Sequence, residues 1–520
     1  MNKIYLWVVA IILIFSTFIK IQAVNNYNFP FTTDQGRDMV DIRQMVVSHT
    51  PRLVGPTTSI NGVLLGPFWY YFLLPPFLLS GGNPQAIMYW QIVWFQISAI
   101  ILWHVLKKKD YLLATIVAIL YLLMPMGFNT GRYFWNANAM PIFTGLFFAC
   151  LLWVMDKLST IRLIILGLLA GLSMQIEAAF GVLFFPFAFL YLIFNKRSIK
   201  ELFWLSVGFF VTVLPQIAFE MRHGFVMTKI LMAEFTGKGE MLGEKISFYS
   251  RVTERYSQAL KLISFTGHIS PVWLQGLFIL GIAILIISIF FHSVSKKLYG
   301  LYSSILGFML FSSAFYLLFP QKLKEWYTLG LCIVISLIVS IAIYTLIKSN
   351  KNILKVLGIY LVVSIIINTA SAQLDYLYNY AFLPSQNRSL LRNEIADINW
   401  VYQNANGEGF NAYSYLPSIY DFPYHYLYWW YGTKQYGYQP ADVAYLPSVP
   451  EYIKDNNLVW TKTKPQGENK LTFLIIEKDH DHPEWESAWL GNFSKLCFLK
   501  ETSFSWTARA VKLSANCHLK

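Results

Sequence analysis

The sequence predicts a polytopic α-helical membrane protein of about 11 transmembrane helices, followed by a small α/β domain. Three observations lead to this fold class. Of the 520 residues, 56% are apolar or aromatic and only 13% are charged, whereas soluble domains contain about 25% charged residues. The apolar residues are concentrated in long runs. After about Ala370 the apolar runs end, and polar and turn-forming residues become frequent.

The apolar runs have the length of membrane-spanning helices. At about 1.5 Å per residue, roughly 20 helical residues cross the hydrocarbon core of a bilayer. The runs at 161–177 and 179–194 are short, so we expect tilted, broken or partly re-entrant helices there. The predicted spans are 4–24, 84–106, 111–127, 140–155, 161–177, 179–194, 202–219, 271–292, 298–319, 326–347 and 353–371.

Basic residues recur in every second short loop. With the N-terminus in the cytoplasm, each predicted inner loop contains Lys or Arg, which is the positive-inside pattern of a multi-pass protein of the cell membrane. This topology predicts a membrane domain over 1–370, with outer loops at 25–83 and 220–270, and an extracytoplasmic α/β domain over 371–520. The inner loops are 107–110, 156–162, 195–201, 292–297 and 348–355.

The charge balance argues against a nucleic-acid-binding protein. Residues 371–520 contain 13 Lys or Arg and 15 Asp or Glu, so the formal net charge of +13 arises in the hydrophobic part of the chain. Membrane topology explains a basic excess there. Apolar residues at helical spacing over 234–264 predict an amphipathic helix on the outer surface. A disulfide between Cys497 and Cys517 is open, and no cysteine spacing resembles a metal site.

The residues after about Ala370 have the pattern of a soluble domain. Asn393–Gln403 is a helical stretch, and Leu471–Ile476 is a run of strand-forming residues. Turn-forming pairs such as Asn406-Gly407 separate these elements. We therefore expect a small α/β domain.

The first outer loop contains the strongest candidate for chemistry. Asp34, Arg37 and Asp38 lie just beyond the first apolar run. On a helix, Asp34 and Asp38 share a face because they are four residues apart. A carboxylate at the membrane surface can take a proton from an acceptor hydroxyl or amine, so we predict a general base here. The alternative is that Asp34 only caps a helix.

Other polar and aromatic residues lie at the outer ends of the runs. Cations there could hold the phosphate of a lipid-linked substrate or could meet anionic headgroups. Glu177 ends a short run, and an acid at membrane depth suggests function. The segment Gly66–Pro76 indicates an interfacial helix or an aromatic belt. The substrate-binding candidates are Arg37, Tyr70, Tyr71, Arg132, Asn136, Glu177, Arg222, His223, Lys322, Lys324 and Tyr327.

This arrangement resembles the GT-C glycosyltransferases, in particular glycosyltransferase family 39, which includes proteins similar to protein mannosyltransferases. Asp34-Gln35 stands where the family usually has Asp-Glu. Gly66–Tyr71 stands where Lys- or His-Pro-Pro-Leu-Tyr-Tyr is usual. The strings Phe134–Asn136 and Phe219–Phe225 resemble an uncharacterised bacterial or archaeal subgroup. The resemblance covers about residues 1–350 in its organisation.

The resemblance implies an inverting transfer of a hexosyl or pentosyl group from a polyprenyl-phosphate donor. A glycan, lipid or protein would be the acceptor at the outer face of the membrane. Asp34 would be the general base, and Asp38, one helical turn on, would be the second acid in place of Gln35. Gly66 shifts phosphate binding to other cations. The family resemblance implies Arg37, Arg132, Arg222, His223, Lys322 and Lys324 as those cations. No cofactor is certain, and a divalent metal is open.

Two other functions are open. A flippase for lipid-linked glycans would favour inverted repeats and ionisable residues at mid-membrane depth, and neither stands out in the sequence. A non-catalytic receptor or assembly factor would bind through residues 371–520. Its aromatic stretch Tyr424–Tyr431 could stack on sugar rings, or the same side chains could form the core of the domain.

Overall fold

The chain forms two compact units, each built from separated stretches of sequence. A computed structural model describes residues 2–236, 245–263, 271–447, 453, 470–506 and 508–515. The membrane unit comprises Met1–Gln22, Leu53–Phe72 and Tyr89–Leu377. The C-terminal unit comprises Ala23–Arg52, Leu73–Met88 and Tyr378–Lys520. The predicted domain division after residue 370 remains a prediction. Cys517 lies outside the described residues, so the question of its disulfide with Cys497 stays open.

Most of the described chain is helical. The helices are α1 Asn2–Val24, α2 Thr33–Val47, α3 Phe68–Ser80, α4 Pro84–Leu106, α5 Tyr111–Leu123, α6 Pro125–Thr130, α7 Met140–Asp156, α8 Thr160–Ile176, α9 Ala178–Gly181, α10 Phe184–Phe194, α11 Ile199–Arg222, α12 Val226–Phe235, α13 Phe248–Ile263, α14 Pro271–Phe290, α15 Lys296–Leu318, α16 Leu331–Lys348, α17 Asn352–Tyr376, α18 Leu391–Ala405, α19 Phe422–Leu427, α20 Thr433–Tyr436 and α21 Pro483–Gly491. The strands are β1 Phe410–Tyr415, β2 Asp442–Ala444, β3 Leu471–Glu477, β4 Cys497–Ser503 and β5 Ala508–Ser514.

The helices account for the predicted spans. Within the described residues, eight helices are long and apolar enough to cross a membrane, and four shorter apolar helices accompany them. Every run predicted as a span is helical in the structure. The chain is therefore a multi-pass membrane protein with a small sheet-containing region at its C-terminal end, as predicted. The number of crossings and their direction remain predictions.

Three of the predicted spans are interrupted, and one of them, 326–347, divides into a 3-10 turn at Glu325–Thr328 and α16. The run at 111–127 divides because Pro125 disfavours helical geometry in the residue before it, and Met124 has a ψ of 146°. The short run at 179–194 divides into α9 and α10, which is the broken helix expected there. Each interruption frees backbone groups at the end of a helix for other partners.

Helices α8 and α11 pack with their backbones in close approach. A Cβ atom at Gly167 would overlap the carbonyl oxygen of Leu205, and one at Gly208 would overlap that of Ile164. Small residues at such crossings are typical of membrane helix pairs. This packing fixes α8, whose last residue, Ile176, directly precedes Glu177.

The C-terminal unit contains a five-stranded sheet in the order β2-β1-β3-β5-β4. Strand β3 is parallel to β1 and antiparallel to β5. All seven residues of β3 are buried, which is expected of a central strand covered on both faces. The predicted strand Leu471–Ile476 and the predicted helix Asn393–Gln403 are confirmed as β3 and α18. The predicted small α/β domain is confirmed as well.

Three carboxyl groups are buried together in this unit. Glu394 and Asp397 belong to α18, and Glu477 ends β3; their exposed fractions are 1%, 0% and 3%. The hydroxyl oxygen of Tyr424 lies 3.0 Å from Asp397 Oδ2 and 3.2 Å from Glu477 Oε1. A phenol has one proton to donate, so one of the two contacts requires a protonated carboxyl as the donor. The Arg388 guanidinium lies 3.2 Å from Glu477 Oε2.

Candidate active site

The predicted acidic segment is the first turn of α2, in the C-terminal unit. Thr32 is the residue that caps this helix, and its backbone N–H donates to Gln35 Oε1 at 2.9 Å. The alternative in which Asp34 caps the helix is therefore wrong. Gln35 fills the position of the usual family acid with an oxygen that closes the capping box, as a carboxylate would.

Arg37 joins the two predicted carboxylates. Its Nη1 lies 2.9 Å from Asp34 Oδ1, and its Nη2 lies 2.8 Å from Asp38 Oδ1. The Asp38 side chain is completely buried, whereas 38% of the Asp34 side chain is exposed. The two acids are thus held by one guanidinium, and they differ in their access to solvent. Asp34 is the carboxylate that an incoming group could reach.

A glycine inside this segment allows α2 to pack against α19. A Cβ atom at Gly36 would lie 2.5 Å from the backbone nitrogen of Pro423 and 2.7 Å from the carbonyl carbon of Phe422. Farther along α2, the buried Arg43 has its Nη1 3.2 Å from His425 Nδ1. Backbone-to-backbone packing therefore fixes the position of α2 within the C-terminal unit. The sequence analysis singled out neither Gly36 nor Arg43.

The aromatic residues that follow on α19 belong to a core. The side chains of Tyr424, Tyr426, Tyr428, Trp429 and Trp430 are each at most 4% exposed. They therefore cannot stack on a sugar at the surface of this unit. For these five rings the alternative of a domain core is confirmed, because they supply apolar burial to a small domain.

A second group of candidates comes together in the membrane unit. Glu177 lies between α8 and α9, and its Oε1 accepts from the backbone N–H of Ala179 at 3.2 Å. Asn136 is buried, and its Nδ2 donates to the carbonyl of Ile176 at 2.8 Å. Glu177 is only 8% exposed and lies in the electrostatic range of Lys324. We call Asn136, Glu177, Lys324 and Tyr327, with Ser59 and Tyr316, the Glu177 cluster.

Tyrosines tie the elements of the Glu177 cluster together. Tyr316 donates from its hydroxyl, which lies 3.1 Å from the carbonyl of Ala179 and 2.8 Å from that of Tyr327. The Tyr327 hydroxyl is hydrogen-bonded to Ser59 Oγ. Trp326 meets the edge of the Trp135 ring at a centroid distance of 5.5 Å, and Lys324 Nζ lies 5.3 Å from the Trp326 ring centroid. Loops that are far apart in the sequence therefore form one polar cluster.

The structure explains the glycine at position 66. A side chain there would overlap the side chain of Gln175, which extends from α8. Gln175 Oε1 accepts from the backbone N–H of Phe68 at 3.1 Å, and its Nε2 donates to the Thr212 carbonyl. Gln175 thus occupies the space that the side chain of any other residue at position 66 would need. The sequence analysis did not single out Gln175, although a polar residue near the end of an apolar run is a recognisable signal.

The remaining candidates are dispersed. The Arg132 guanidinium lies 4.0 Å from the Tyr376 ring centroid and is stacked there by a cation–π contact. Arg222 and His223 are exposed at the end of α11, and the His223 ring stacks on Phe219. Lys322 is exposed in the segment after α15. In α3, Tyr70 is 1% and Tyr71 is 37% exposed.

Within the described residues, no three His, Cys, Asp or Glu side chains are grouped in a way that could hold a metal ion. The divalent metal that the sequence analysis left open therefore gains no ligand set there. Asn136, Glu177 and Tyr316 of the Glu177 cluster instead form hydrogen bonds with backbone groups.

Comparison with known proteins finds the same fold in a solved membrane protein. The crystal structure of ArnT from Cupriavidus metallidurans bound to undecaprenyl phosphate matches over 98% of this chain and 98% of that chain, with a TM-score of 0.57 and 10% sequence identity. The apo form of the same protein matches with a TM-score of 0.56. This chain therefore has the fold of ArnT, and the predicted GT-C-like fold class is confirmed.

Other comparisons define the distance to known families. The Archaeoglobus fulgidus oligosaccharyltransferase matches over 94% of this chain and 71% of that chain, with a TM-score of 0.48 and 11% identity. No family model matches the sequence, and no curated protein does.

Proposed function

We propose that this protein is an inverting glycosyltransferase that moves a sugar from a polyprenyl-phosphate donor to an acceptor at the outer face of the membrane. The proposal depends above all on the partly exposed Asp34, which Arg37 holds at the start of α2 in a chain with the GT-C fold. ArnT of the same fold binds undecaprenyl phosphate, which is a polyprenyl phosphate. That likeness supports a donor of the same class.

In this proposal, Asp34 is the general base. Its carboxylate accepts the proton of an acceptor hydroxyl or amine while the acceptor atom bonds to the anomeric carbon of the sugar. The bond between that carbon and the phosphate oxygen breaks, and polyprenyl phosphate leaves with the bonding electrons. General-base catalysis of this kind contributes about 10²- to 10⁴-fold to a rate.

Arg37 and Asp38 hold the base in position. The Arg37 guanidinium limits the rotation of the Asp34 carboxylate through the ion pair at 2.9 Å. Asp38 is buried against the same guanidinium, so it holds Arg37 in place rather than meeting the acceptor. Asp38 is thus a positioning residue in this proposal, and Asp34 is the catalytic one.

We propose two lysines as the cations that stabilise the leaving phosphate. Lys322 and Lys324 are both exposed, and Lys324 stands above the Trp326 ring. Negative charge grows on the phosphate as its bond to the sugar breaks, and a pre-placed cation lowers the energy of that state. Since position 66 is a glycine packed on Gln175, we assign the phosphate contact to these lysines.

The test is release of free polyprenyl phosphate from a panel of polyprenyl-phosphate sugars, with a membrane extract as the acceptor. The native protein is expected to release the lipid phosphate and to transfer the sugar with inverted anomeric configuration. A folded sample that binds the lipid but releases nothing from any donor would contradict the proposal and would favour a flippase or a receptor. Transfer with retained configuration would contradict the role of Asp34 as a base for direct displacement.

A further inference from the structure

The segment that follows α15 is held by one face of α13. Arg255 of α13 points its guanidinium at the carbonyl oxygens of this segment, with Nη2 2.7 Å from Gln321 O and 3.2 Å from Phe319 O. Arg251, one turn earlier, donates from Nη1 to Leu317 O at 2.7 Å. The last carbonyls of a helix have no partner within the helix. Two arginines of α13 therefore donate hydrogen bonds to backbone carbonyls at the end of α15 and in the residues beyond it.

The same face of α13 binds the residue between the two lysines. Glu254 Oε1 accepts from the backbone N–H of Leu323 at 3.1 Å, and Gln258 Nε2 donates to the Leu323 carbonyl at 3.0 Å. Glu254 is itself paired with Arg255. Both backbone groups of Leu323 are thus occupied by α13, and the Leu323 side chain is only 4% exposed.

We infer that Arg255 is a positioning residue, which fixes the backbone of Lys322 and Lys324 so that their ammonium groups are pre-placed for a lipid phosphate. This inference rests on the proposed function for the role of the two lysines. Ordering a free loop costs conformational entropy, and the contacts with α13 remove that cost before the lipid arrives. The exposure of the three residues is consistent with this role: Leu323 is buried against α13, while Lys322 and Lys324, on either side of it, are exposed.

The test is a double-mutant cycle on binding of undecaprenyl phosphate, measured in detergent with the full-length protein. Lys324→Gln and Arg255→Gln are each expected to weaken binding about tenfold. The double variant is expected to lose less affinity than the product of the two single losses, because Arg255 acts in part through Lys324. Lys229→Gln, which removes an exposed cation of α12, is the control and is expected to bind like the native protein.

Several results would overturn the inference. If the two effects multiply, Arg255 has only a general effect on the fold, and the same holds if Arg255→Gln binds normally. Failure of the native protein to bind the lipid would also overturn it. Arg255→Lys keeps the charge but cannot span the carbonyls as a planar fork, so it replaces Arg255→Gln should that variant not fold, with weaker binding again expected.

The outcome is separable from that of the proposed function. Coupled loss of binding without any sugar release from the native protein would support the positioning role and contradict the transferase. If the native protein transfers sugar and Arg255→Gln does so at the same rate, the transferase is supported and the positioning role of Arg255 is contradicted.

Discussion

The two groups of candidate residues differ in how they are assembled. The acidic segment of α2 places Asp34, Arg37 and Asp38 within one and a half helical turns, and its ion pairs are contacts between sequence neighbours. The Glu177 cluster draws on loops near positions 59, 136, 177 and 316–327. Local geometry explains the first group, whereas only the packing of helices explains the second. The two should therefore respond differently to mutation.

The variant expected to disturb the fold most is Gly36→Ala, and it tests whether the acidic segment depends on local geometry alone. Gly36→Ala adds a single methyl group where the Pro423 backbone lies 2.5 Å away. We expect a loss of about 1–3 kcal/mol in the free energy of unfolding and a parallel loss of activity, since overpacking forces backbone shifts. Thermal unfolding in detergent measures the first effect.

The control for this variant is Gly491→Ala, also in the C-terminal unit. An added methyl group there meets no atom within 4 Å, and alanine is favoured over glycine in helices. Unchanged stability of Gly36→Ala would mean that α2 can move relative to α19. The acidic segment would then be held by its ion pairs alone.

The buried carboxyls predict a dependence of stability on pH. Burial raises the pKa of Glu477 to about 7, from an ordinary value of 4.5, and the Arg388 guanidinium opposes this shift. Burial also raises the pKa of Glu394 and of Asp397 well above their ordinary values. The folded state therefore holds protons that the unfolded state has lost.

The sign follows from proton linkage. The pKa of Glu477 is raised in the folded state. Its contribution to the free energy of unfolding is therefore fully present below about pH 4.5 and is lost as the pH rises toward about 7. Glu394→Gln keeps a neutral side chain at every pH, so we expect its melting temperature to fall less over this range. At pH 8 the variant should be more stable than the native protein, as measured by thermal unfolding. Glu408→Gln, at an exposed position in the same unit, should behave like the native protein; a steeper fall for Glu394→Gln would contradict the assignment.

A smaller effect is expected at the Glu177 cluster. Asn136→Ala removes the donor to the Ile176 carbonyl, and a buried carbonyl left unpaired costs about 1–2 kcal/mol. We expect reduced thermal stability together with a weaker affinity for the polyprenyl-phosphate sugar, because the turn that holds Glu177 loses the hydrogen bond from Asn136. Asn195→Ala serves as the comparison, since the exposed Asn195 side chain only donates to its own helix at Tyr191. Equal melting temperatures for the two variants would show that the Glu177 cluster does not depend on Asn136.

The helices were predictable because their apolar runs are long and continuous, so helical residues occupy nearly all of each predicted span. The break in the short run before Phe194 was expected from its length, whereas the break at Pro125 was not predicted. Contacts between distant loops could not be predicted, because nothing local to Ser59 or Asn136 indicates Tyr327 or Ile176 as a partner. The burial of Tyr424–Tyr431 was equally hidden, since aromatic residues suit a sugar-binding surface and a core alike.

The most direct test of the central claim compares two aspartates of the same helix. Asp34 pairs with Arg37, and Asp41 pairs with Arg52 at 2.7 Å, so Asp34→Asn and Asp41→Asn each remove one charge from an ion pair on α2. The measurement is kcat for release of polyprenyl phosphate from a donor that the native protein uses. The account predicts that Asp34→Asn loses about 10²- to 10⁴-fold in kcat, whereas Asp41→Asn stays within a few-fold of the native rate. Equal rates for the two variants would contradict the assignment of Asp34 as the base.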